Sequence, residues 1–335
     1  RTFQAEDEIA AMGAVIGASF GGALAVTGTS GPGLALKSEA MNLAIMLELP
    51  MVIVDVQRGG PSTGLPTKTE QGDLLQALYG RNGESPIPVL APKGPADCFD
   101  IAFEACRLAV RAMTPVVILS EGYLANSSEP WLIPDPDDIE PIVVRHPEGR
   151  SDSNGDAPFF PYLRDEETLG RPWAIPGTPG LEHRIGGLAK APITGNVSQD
   201  SRHHEQMIQL RAEKVARLAD AFPEQDVFGP AEGDLLVLTW GGTFGAVRTA
   251  VTRAQNNGYD VAHAHVRILN PFPRNLESIL RSYKRILVPE LNNGQLAFVL
   301  RGTYALDNII SYPKLHARPF KIGEVYQKLE ELFGY

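Results

Sequence analysis

"PMVIVDVQRGGPSTGLPTKTEQGD", residues 50–73, decides the reading of this chain. The first part is an apolar run that reads as a strand. The second is a loop of glycines, prolines and hydroxyl residues that opens on Arg58. Strands this uniformly apolar, alternating with helices, belong to a parallel sheet covered on both faces. In such open sheets, ligands bind beyond the carboxyl ends of the strands, where Arg58 stands. A lone Arg after a strand is usually a surface ion-pair partner. Its alternative is bidentate recognition of a small carboxylate. Ser62, Thr63, Thr67 and Thr69 supply hydroxyls for the remaining acceptors, and the loop reads as one made to receive a small anion.

Working outward, "RTFQA" (1–5) predicts a short strand. "EDEIAAMGAVIGASFGG" (6–22) predicts a helix with Ile9, Met12, Ile16 and Phe20 on one face. "ALAVTG" (23–28) is a strand, with a helical stretch before "MVIVDV" (51–56). "PIPVLAP" (86–92) and "TPVVILS" (114–120) are strands flanking a helix over 95–113. Residues 130–192 hold eleven of the chain's 27 prolines and show weak periodicity, the mark of a long irregular connection. An amphipathic helix follows over 206–222, with Ile208, Val215, Leu218 and Phe222 on one face. The last third alternates again: a strand "DLLVLTWGG" (234–242), a helix ending at Gly258, strands "YDVAHAHVRIL" (259–269) and "RILVPEL" (285–291), and a final helix over 322–333. The expected division is 1–130, 131–230 and 231–335.

The 335 residues are 43% hydrophobic and 21% charged, ordinary for a soluble globular chain. A net charge of −10 argues against nucleic acid and anionic membrane as partners. No apolar run approaches the roughly 20 residues of a membrane span, and no signal-peptide pattern is read at the start. Cys98 and Cys106 cannot alone form a metal framework, and they suit a reducing compartment, so a cytoplasmic location is expected.

Three glycine-rich turns stand at strand ends, over 27–33, 58–64 and 240–246. None has the spacing of a dinucleotide fingerprint or a Walker loop. "WGGTFGA" (240–246) reads as a tight strand-to-helix turn. Glu6, Asp7 and Glu8 open the first helix, where any of them would complement the helix dipole. The sharper alternative is one buried carboxylate among small residues. His203 and His204 read as solvated, His263 and His265 as packed, Cys98 and Cys106 as core, and Glu290 as either a cap or an interface acid.

With these pieces the chain resembles the alpha subunit of 2-oxoacid:ferredoxin oxidoreductases, in the 2-oxoglutarate branch. The resemblance is carried by residues 4–40, by "VDVQRGGPSTGLPTKTEQGDL" (54–74), by "SEGYLANSSEPW" (120–131), and by "ILNPFP" (268–273) with "VPELNNGQLAFVLRG" (288–302). It implies an α/β chain. The first part is the pyrimidine-binding domain of the thiamin-diphosphate-binding fold, a parallel sheet with helices on both faces. The last part is a smaller transketolase C-terminal-like α/β domain. It implies thiamine diphosphate, with Glu8 rather than Glu6 against N1′ of the aminopyrimidine. It implies Arg58 on the 2-oxoacid carboxylate and Thr67 near the substrate's far end, with Thr63 beside them. Thr29, Ser30 and Gly31 of "TSGPG" would line the thiazolium side.

The reaction so implied is 2-oxoglutarate, CoA and oxidised ferredoxin giving succinyl-CoA, CO₂ and reduced ferredoxin. A "GDG" diphosphate motif and the four thiolates of an iron–sulfur cluster are missing. Mg²⁺, diphosphate contacts and cluster are therefore expected on a beta subunit, in a heterotetramer. The family's "YPITP" loop and gamma-type domain are also missing, and Arg1 is expected to lie inside the first domain. Pyruvate or another 2-oxoacid is the alternative substrate. A non-catalytic assembly subunit is the alternative class.

Overall fold

The computed structural model describes residues 1–149 and 158–334. The irregular connection expected over 130–192 thus includes residues, 150–157, that lie outside those described. Strands form where the apolar runs are: β1 (Ala25–Thr29), β2 (Met51–Gln57), β3 (Val89–Leu90), β4 (Pro115–Glu121), β5 (Val227–Phe228), β6 (Gly233–Thr239), β7 (Val261–His265), β8 (Ile268–Asn270), β9 (Tyr283–Glu290) and β10 (Ile309–Pro313). Helices α1 (Glu8–Phe20), α2 (Gly31–Leu36), α3 (Ser38–Leu47), α4 (Leu74–Tyr79), α5 (Asp97–Ala112) and α6 (Gly122–Ala125) accompany the first sheet. Helix α7 (Ser201–Arg217) leads to α8 (Phe244–Asn256), α9 (Leu276–Arg281), α10 (Gln295–Tyr304) and α11 (Ile322–Phe333).

Among the described residues the first sheet has the order β1-β2-β4-β3-β8 and the second β10-β9-β6-β7-β5. Pairing is parallel except at one edge of each sheet, where β8 on β3 and β5 on β7 run antiparallel. Every residue of β4 is buried, and five of the seven in β2, as a doubly covered parallel sheet requires.

Several expectations are corrected. Residues 1–5 form no strand: they are largely exposed, and nothing described pairs with them, without which an extended segment is only a tail. The stretch 259–269 is two strands. β7 stays in the second sheet, while β8 crosses to pair with β3 of the first, with Asn270 Nδ2 donating to Ile87 O at 2.6 Å. The two sheets therefore share one core, running from Met12, Leu34 and Ile53 to Trp240, Leu269 and Leu296. On α1 the buried stripe is Met12, Val15 and Ser19, and Ile9 is 54% exposed, because nothing among the described residues covers that side.

The face expected for α7 is the buried one: Val215 and Leu218 are buried and Ile208 and Phe222 half-buried. The helix also buries Arg211 and Lys214 beside Met207 and Val215. The cause is a clamp around Glu48, a fully buried acid in the left-handed region (φ 56°) at the end of α3. Arg164 and Lys214 each donate to its carboxylate at 2.5 Å. The surrounding cations meet helix ends. Lys190 Nζ donates to Met46 O at 3.0 Å, Arg171 Nε to Leu47 O at 2.9 Å, and Lys214 Nζ to Met113 O at 3.0 Å. The carboxyl ends of α3 and α5 carry orphan carbonyls and negative dipole ends, so buried cations there are compensated. Trp173 Nε1 adds a bond to Ser19 O at 2.8 Å, and the connection is thereby locked to the first sheet. A cavity of about 1300 Å³ lies within this connection, lined by Arg111, Val143, His146, Arg164 and Trp173 among others, away from Glu8 and Arg58.

Candidate active site

The carboxyl ends of β1, β2 and β4 carry the candidate site, and each is followed by its own device. After β2, the loop that opens on Arg58 is tied down at both ends. Gln57 Nε2 donates to Ser120 O at 3.0 Å, and its Oε1 accepts from Asp73 N–H at 3.1 Å. Within the loop, Gly59 N–H donates to Lys68 O and Leu65 N–H to Gly59 O, both at 2.8 Å. At the far end Gln71, fully buried, binds the second sheet four times. It gives its N–H to Leu291 O (3.0 Å) and its Nε2 to Trp240 O (2.8 Å), and it takes Leu291 N–H on Oε1 (2.9 Å) and Asn292 Nδ2 on its carbonyl (2.8 Å).

What this frame presents is Arg58, half-buried, with a buried Nε that finds no acceptor among the described residues. Thr63 and Thr67 are exposed on the same loop. Thr67 is β-branched yet sits at φ 62°, and its carbonyl oxygen lies 3.3 Å from where a Cβ on Gly122 would be. A β-branched residue held left-handed costs of order 1–3 kcal/mol and collects at functional sites.

Beside β1, the acid trio separates. Asp7 caps α1, accepting Ala10 N–H at 2.7 Å, and Glu6 is exposed. Glu8, free of the capping duty, lies across Gly33, where a Cβ would stand 2.7 Å from Glu8 Cγ and crowd Thr29 Oγ1 as well. Gly33 is thus what brings Glu8 and Thr29 together. Ser30 is half-buried and precedes α2. Gly31 gives its space to Asp73, whose Oδ2 would lie 2.6 Å from a Cβ there.

Beneath this surface is a group that the apolar pattern hid. Asp55 and Lys37 have no exposure, and neither Lys37 Nζ nor either Asp55 oxygen takes a hydrogen bond from the usual donors and acceptors among the described residues. Asp55 faces Asp73 instead. Burial, then the Asp73 charge, pushes Asp55 far above the usual carboxyl range, and burial raises Asp73 to about 6. Two facing carboxyls, Asp55 buried and Asp73 half-buried, resist ionising together. The signal was present in sequence: one acid inside a strand with no polar face must have a partner.

A second hidden acid is Glu121, at the end of β4 and 1% exposed. Burial raises it to about 8, against the Thr69 hydroxyl and the Gly242 N–H, which favour the charged form. A Cβ on Gly242 would overlap Glu121 Oε1. The "WGGTFGA" turn is therefore a strand-to-helix turn, as expected, whose glycines also let the second domain close onto this acid. Of the remaining candidates, Glu290 is a cap: it accepts Leu296 N–H at 2.7 Å and Ala297 N–H at 3.1 Å at the start of α10. His263 and His265 are buried and joined through the Thr239 hydroxyl (2.7 and 2.8 Å), and burial lowers His263 to about 3. His203 is half-buried beside Ser198 Oγ at 2.9 Å, while His204 is exposed. Cys98 and Cys106 are free and only half-buried on α5.

Residues 1–201 match the family model described as "Pyruvate flavodoxin/ferredoxin oxidoreductase, thiamine diP-bdg". The chain belongs to this family. Residues 233–309 match a second model, "Pyruvate:ferredoxin oxidoreductase core domain II". Among this family's members, the 2-oxoglutarate oxidoreductase subunit KorA of Mycobacterium tuberculosis is 54% identical over 325 residues, covering 97% of this chain and 48% of that one. The 2-oxoglutarate synthase subunit KorA of Methanothermobacter marburgensis is 32% identical over 334 residues, 97% of this chain and 85% of its own length. The solved 2-oxoglutarate:ferredoxin oxidoreductase from Magnetococcus marinus, with 2-oxoglutarate, coenzyme A and succinyl-CoA bound, superposes with a TM-score of 0.90 at 37% identity. It covers 98% of this chain and 56% of that one. The chain thus spans about half the length of the Mycobacterium and Magnetococcus relatives. An inactive split-gene transketolase tetramer (TM-score 0.51, 14% identity, 97% of this chain and 80% of that one) shares the fold alone. The fold is that expected: a thiamine-diphosphate-binding α/β domain with a second α/β domain of the oxidoreductase core.

Proposed function

We propose that this chain is the alpha subunit of a 2-oxoglutarate:ferredoxin oxidoreductase. Its assembly converts 2-oxoglutarate, CoA and oxidised ferredoxin to succinyl-CoA, CO₂ and reduced ferredoxin. The observation that carries the reading is the arrangement at the strand ends. A half-buried guanidinium with an unengaged Nε is held after β2 in a loop pinned at both ends, and after neighbouring β1 the space left by Gly33 receives a carboxylate, Glu8.

The residues present fit half of a thiamine diphosphate site. Glu8 is an acceptor for a ring N–H and is not consumed by helix capping. Thr29, Ser30 and Gly31 supply the wall beside it, and Arg58, Thr63 and Thr67 the anion side. When bound, the cofactor supplies a nucleophilic thiazolium carbon and an electron sink for decarboxylation. This chain's residues would hold the aminopyrimidine edge at Glu8 and orient the 2-oxoacid by the Arg58 fork.

Mg²⁺, the diphosphate contacts and the iron–sulfur cluster belong to a beta subunit in this reading, the complex is a heterotetramer, and its place is the cytoplasm. No described helix is long and apolar enough to cross a membrane. The division into a pyrimidine-binding part (1–130), a connection (131–230) and a transketolase C-terminal-like part (231–335) is proposed with it. The test is a panel of 2-oxoacids on the reconstituted complex, following CoA-dependent reduction of a viologen dye. Preference for 2-oxoglutarate supports the reading. Preference for pyruvate moves the substrate, and no turnover with any 2-oxoacid overturns it.

A further inference from the structure

The main chain around Arg58 is held on both sides. Just before it, Gln57 Oε1 takes Asp73 N–H at 3.1 Å, and just after it Gly59 N–H reaches Lys68 O at 2.8 Å. The next residue completes the bracket, since Gly60 N–H donates to Glu70 Oε2 at 3.1 Å. These bonds join the arm that carries Arg58 to the returning arm of the loop. The last of them is the one hydrogen bond that the Glu70 side chain makes among the described residues, and it joins no ion pair there. The Glu70 carboxyl lies in the mouth of the loop with a glycine on each arm. A Cβ on Gly59 would stand 3.6 Å from its Oε1, and one on Gly72 would stand 3.6 Å from its Oε2. The residue that follows Glu70 is an anchor. Gln71 has no exposure, and it is bonded to Trp240, Leu291 and Asn292 of the second domain. Glu70 therefore projects from a fixed backbone position, and its reach sets where Gly60 stands, two residues beyond Arg58.

We infer that Glu70 is a positioning residue for Arg58. Its carboxylate latches the mouth of the loop, so that the guanidinium meets the substrate's carboxylate already in place. A preformed site loses less binding free energy to ordering than one that must close around its ligand. The inference deepens the proposed function and rests on the reading of Arg58 as the partner of the 2-oxoacid carboxylate. It assigns Glu70 no contact with substrate or cofactor. The influence of Glu70 passes through one backbone N–H, and what matters is the reach of its oxygen rather than its charge.

The experiment is steady-state kinetics on the reconstituted complex, with thiamine diphosphate affinity measured beside it by calorimetry. Three variants separate reach from charge. Glu70→Ala removes the acceptor. Glu70→Asp keeps the charge but draws the oxygen back by one methylene. Glu70→Gln drops the charge and keeps an acceptor at the same reach. The Ala and Asp variants should each raise the KM for 2-oxoglutarate about tenfold, the scale of one hydrogen bond to a charged group. Their kcat should stay within about twofold of native, as when binding shared by ground and transition states is lost. Thiamine diphosphate affinity should hold. Glu70→Gln should bring KM back to within about threefold of native, because a neutral acceptor bonds more weakly than a charged one but still bonds. Adding Glu70→Ala to Arg58→Ala should raise KM no further. An unchanged KM in Glu70→Ala overturns the inference while the reading of Arg58 stands. So does a Gln variant as impaired as Ala, or an Asp variant that behaves as native, since either makes charge the cause. Equal loss of substrate and thiamine diphosphate affinity, or failure of the Ala and Asp variants to fold, makes Glu70 a structural residue and overturns it too. A further rise of KM in the double variant does the same. If Arg58→Ala itself leaves KM unchanged, the reading of Arg58 fails and the inference with it.

Discussion

Glu8 occupies the space that Gly33 leaves empty: a Cβ on Gly33 would stand 2.7 Å from Glu8 Cγ and 3.1 Å from its Oε1. One methyl group there must displace the carboxylate that the proposed mechanism uses. Gly33→Ala should keep the fold, since α2 tolerates Ala, yet lower thiamine diphosphate affinity in the complex. Glu8→Gln should cut turnover by roughly 10²–10⁴-fold, the scale of a lost acid–base group, with an unchanged melting temperature. Glu6→Gln, on an exposed residue, should be mild. An essential Glu6 with a dispensable Glu8 would reverse the assignment.

Arg58 is expected to act on substrate more than on cofactor. Removing one partner of a buried charge pair costs about 2–5 kcal/mol, so Arg58→Ala should raise the KM for 2-oxoglutarate by orders of magnitude. Thiamine diphosphate affinity should change little. Arg58→Lys should rescue poorly, because a point charge does not reproduce the fork. Steady-state kinetics on both variants decide this, and an unchanged KM in Arg58→Ala removes the anion-site reading.

Glu121 makes a pH prediction with a definite sign. Its carboxyl is raised from 4.5 to about 8 in the folded chain, chiefly by burial. Between those values the folded state holds a proton that the unfolded state has lost. Stability therefore falls as pH rises through the window and levels off above it. Glu121→Gln carries no such proton. Its stability should overtake that of the native chain progressively from pH 5 to pH 8, by something on the order of 2–4 kcal/mol. Denaturant melts at four pH values would show it, and parallel curves for the two proteins would refute it.

The Glu48 clamp should behave in the opposite sense. Against burial, Lys214 and Arg164 hold its carboxyl below the usual range. Its contribution is present at neutral pH and lost as acid protonates it. Glu48→Gln leaves two buried cations under-compensated and should cost about 3–5 kcal/mol at pH 7. The damage should concentrate in the connection, read as early proteolysis between residues 158 and 217. A melt indistinguishable from the native one would exclude the clamp.

How far the sequence reveals this arrangement follows from what makes each feature. β2 and β4 were legible because a doubly covered strand needs an unbroken apolar run, and the Arg58 loop because its composition fits no ordinary turn. The split of 259–269 was not legible: no glycine or proline marks it, and the edge of β3 with which β8 pairs is remote in sequence. The burial of Arg211 and Lys214 on α7 was not legible, since Glu48 and, for Lys214, the end of α5 are remote in sequence. The site divided in the same way. Glu8, Thr29 and Arg58 stand at element boundaries where motif and geometry coincide. Asp55 and Glu121 are single charges on apolar strands, Lys37 and Asp73 stand in polar stretches that mark neither out, and only the tertiary fold shows what faces each of them.

The last prediction concerns the partner. The outer face of α1 is a row of small or apolar residues, Ile9, Ala10, Gly13, Ala14, Gly17 and Ala18, all exposed among the described residues. At Gly13 and Gly17 a Cβ would meet nothing within 4 Å. The same helix begins at Glu8, so a subunit seated on this face would lie next to the proposed cofactor site. Close helix packing against small residues fits a subunit contact, and permanent interfaces bury upwards of about 2,000 Å². The isolated chain should be colourless, bind thiamine diphosphate weakly and turn over no 2-oxoacid. Co-expression with a beta-type subunit carrying the diphosphate motif and cluster cysteines should restore all three properties. Gly17→Phe separates assembly from folding. It points into open space and should leave the melting temperature of the isolated chain within about 1 °C of native, since surface changes away from packed features are small. It should nevertheless abolish co-elution with the partner on size exclusion. Normal assembly of Gly17→Phe would show that the partner docks elsewhere. Tight cofactor binding by the chain alone would show that the site is not shared.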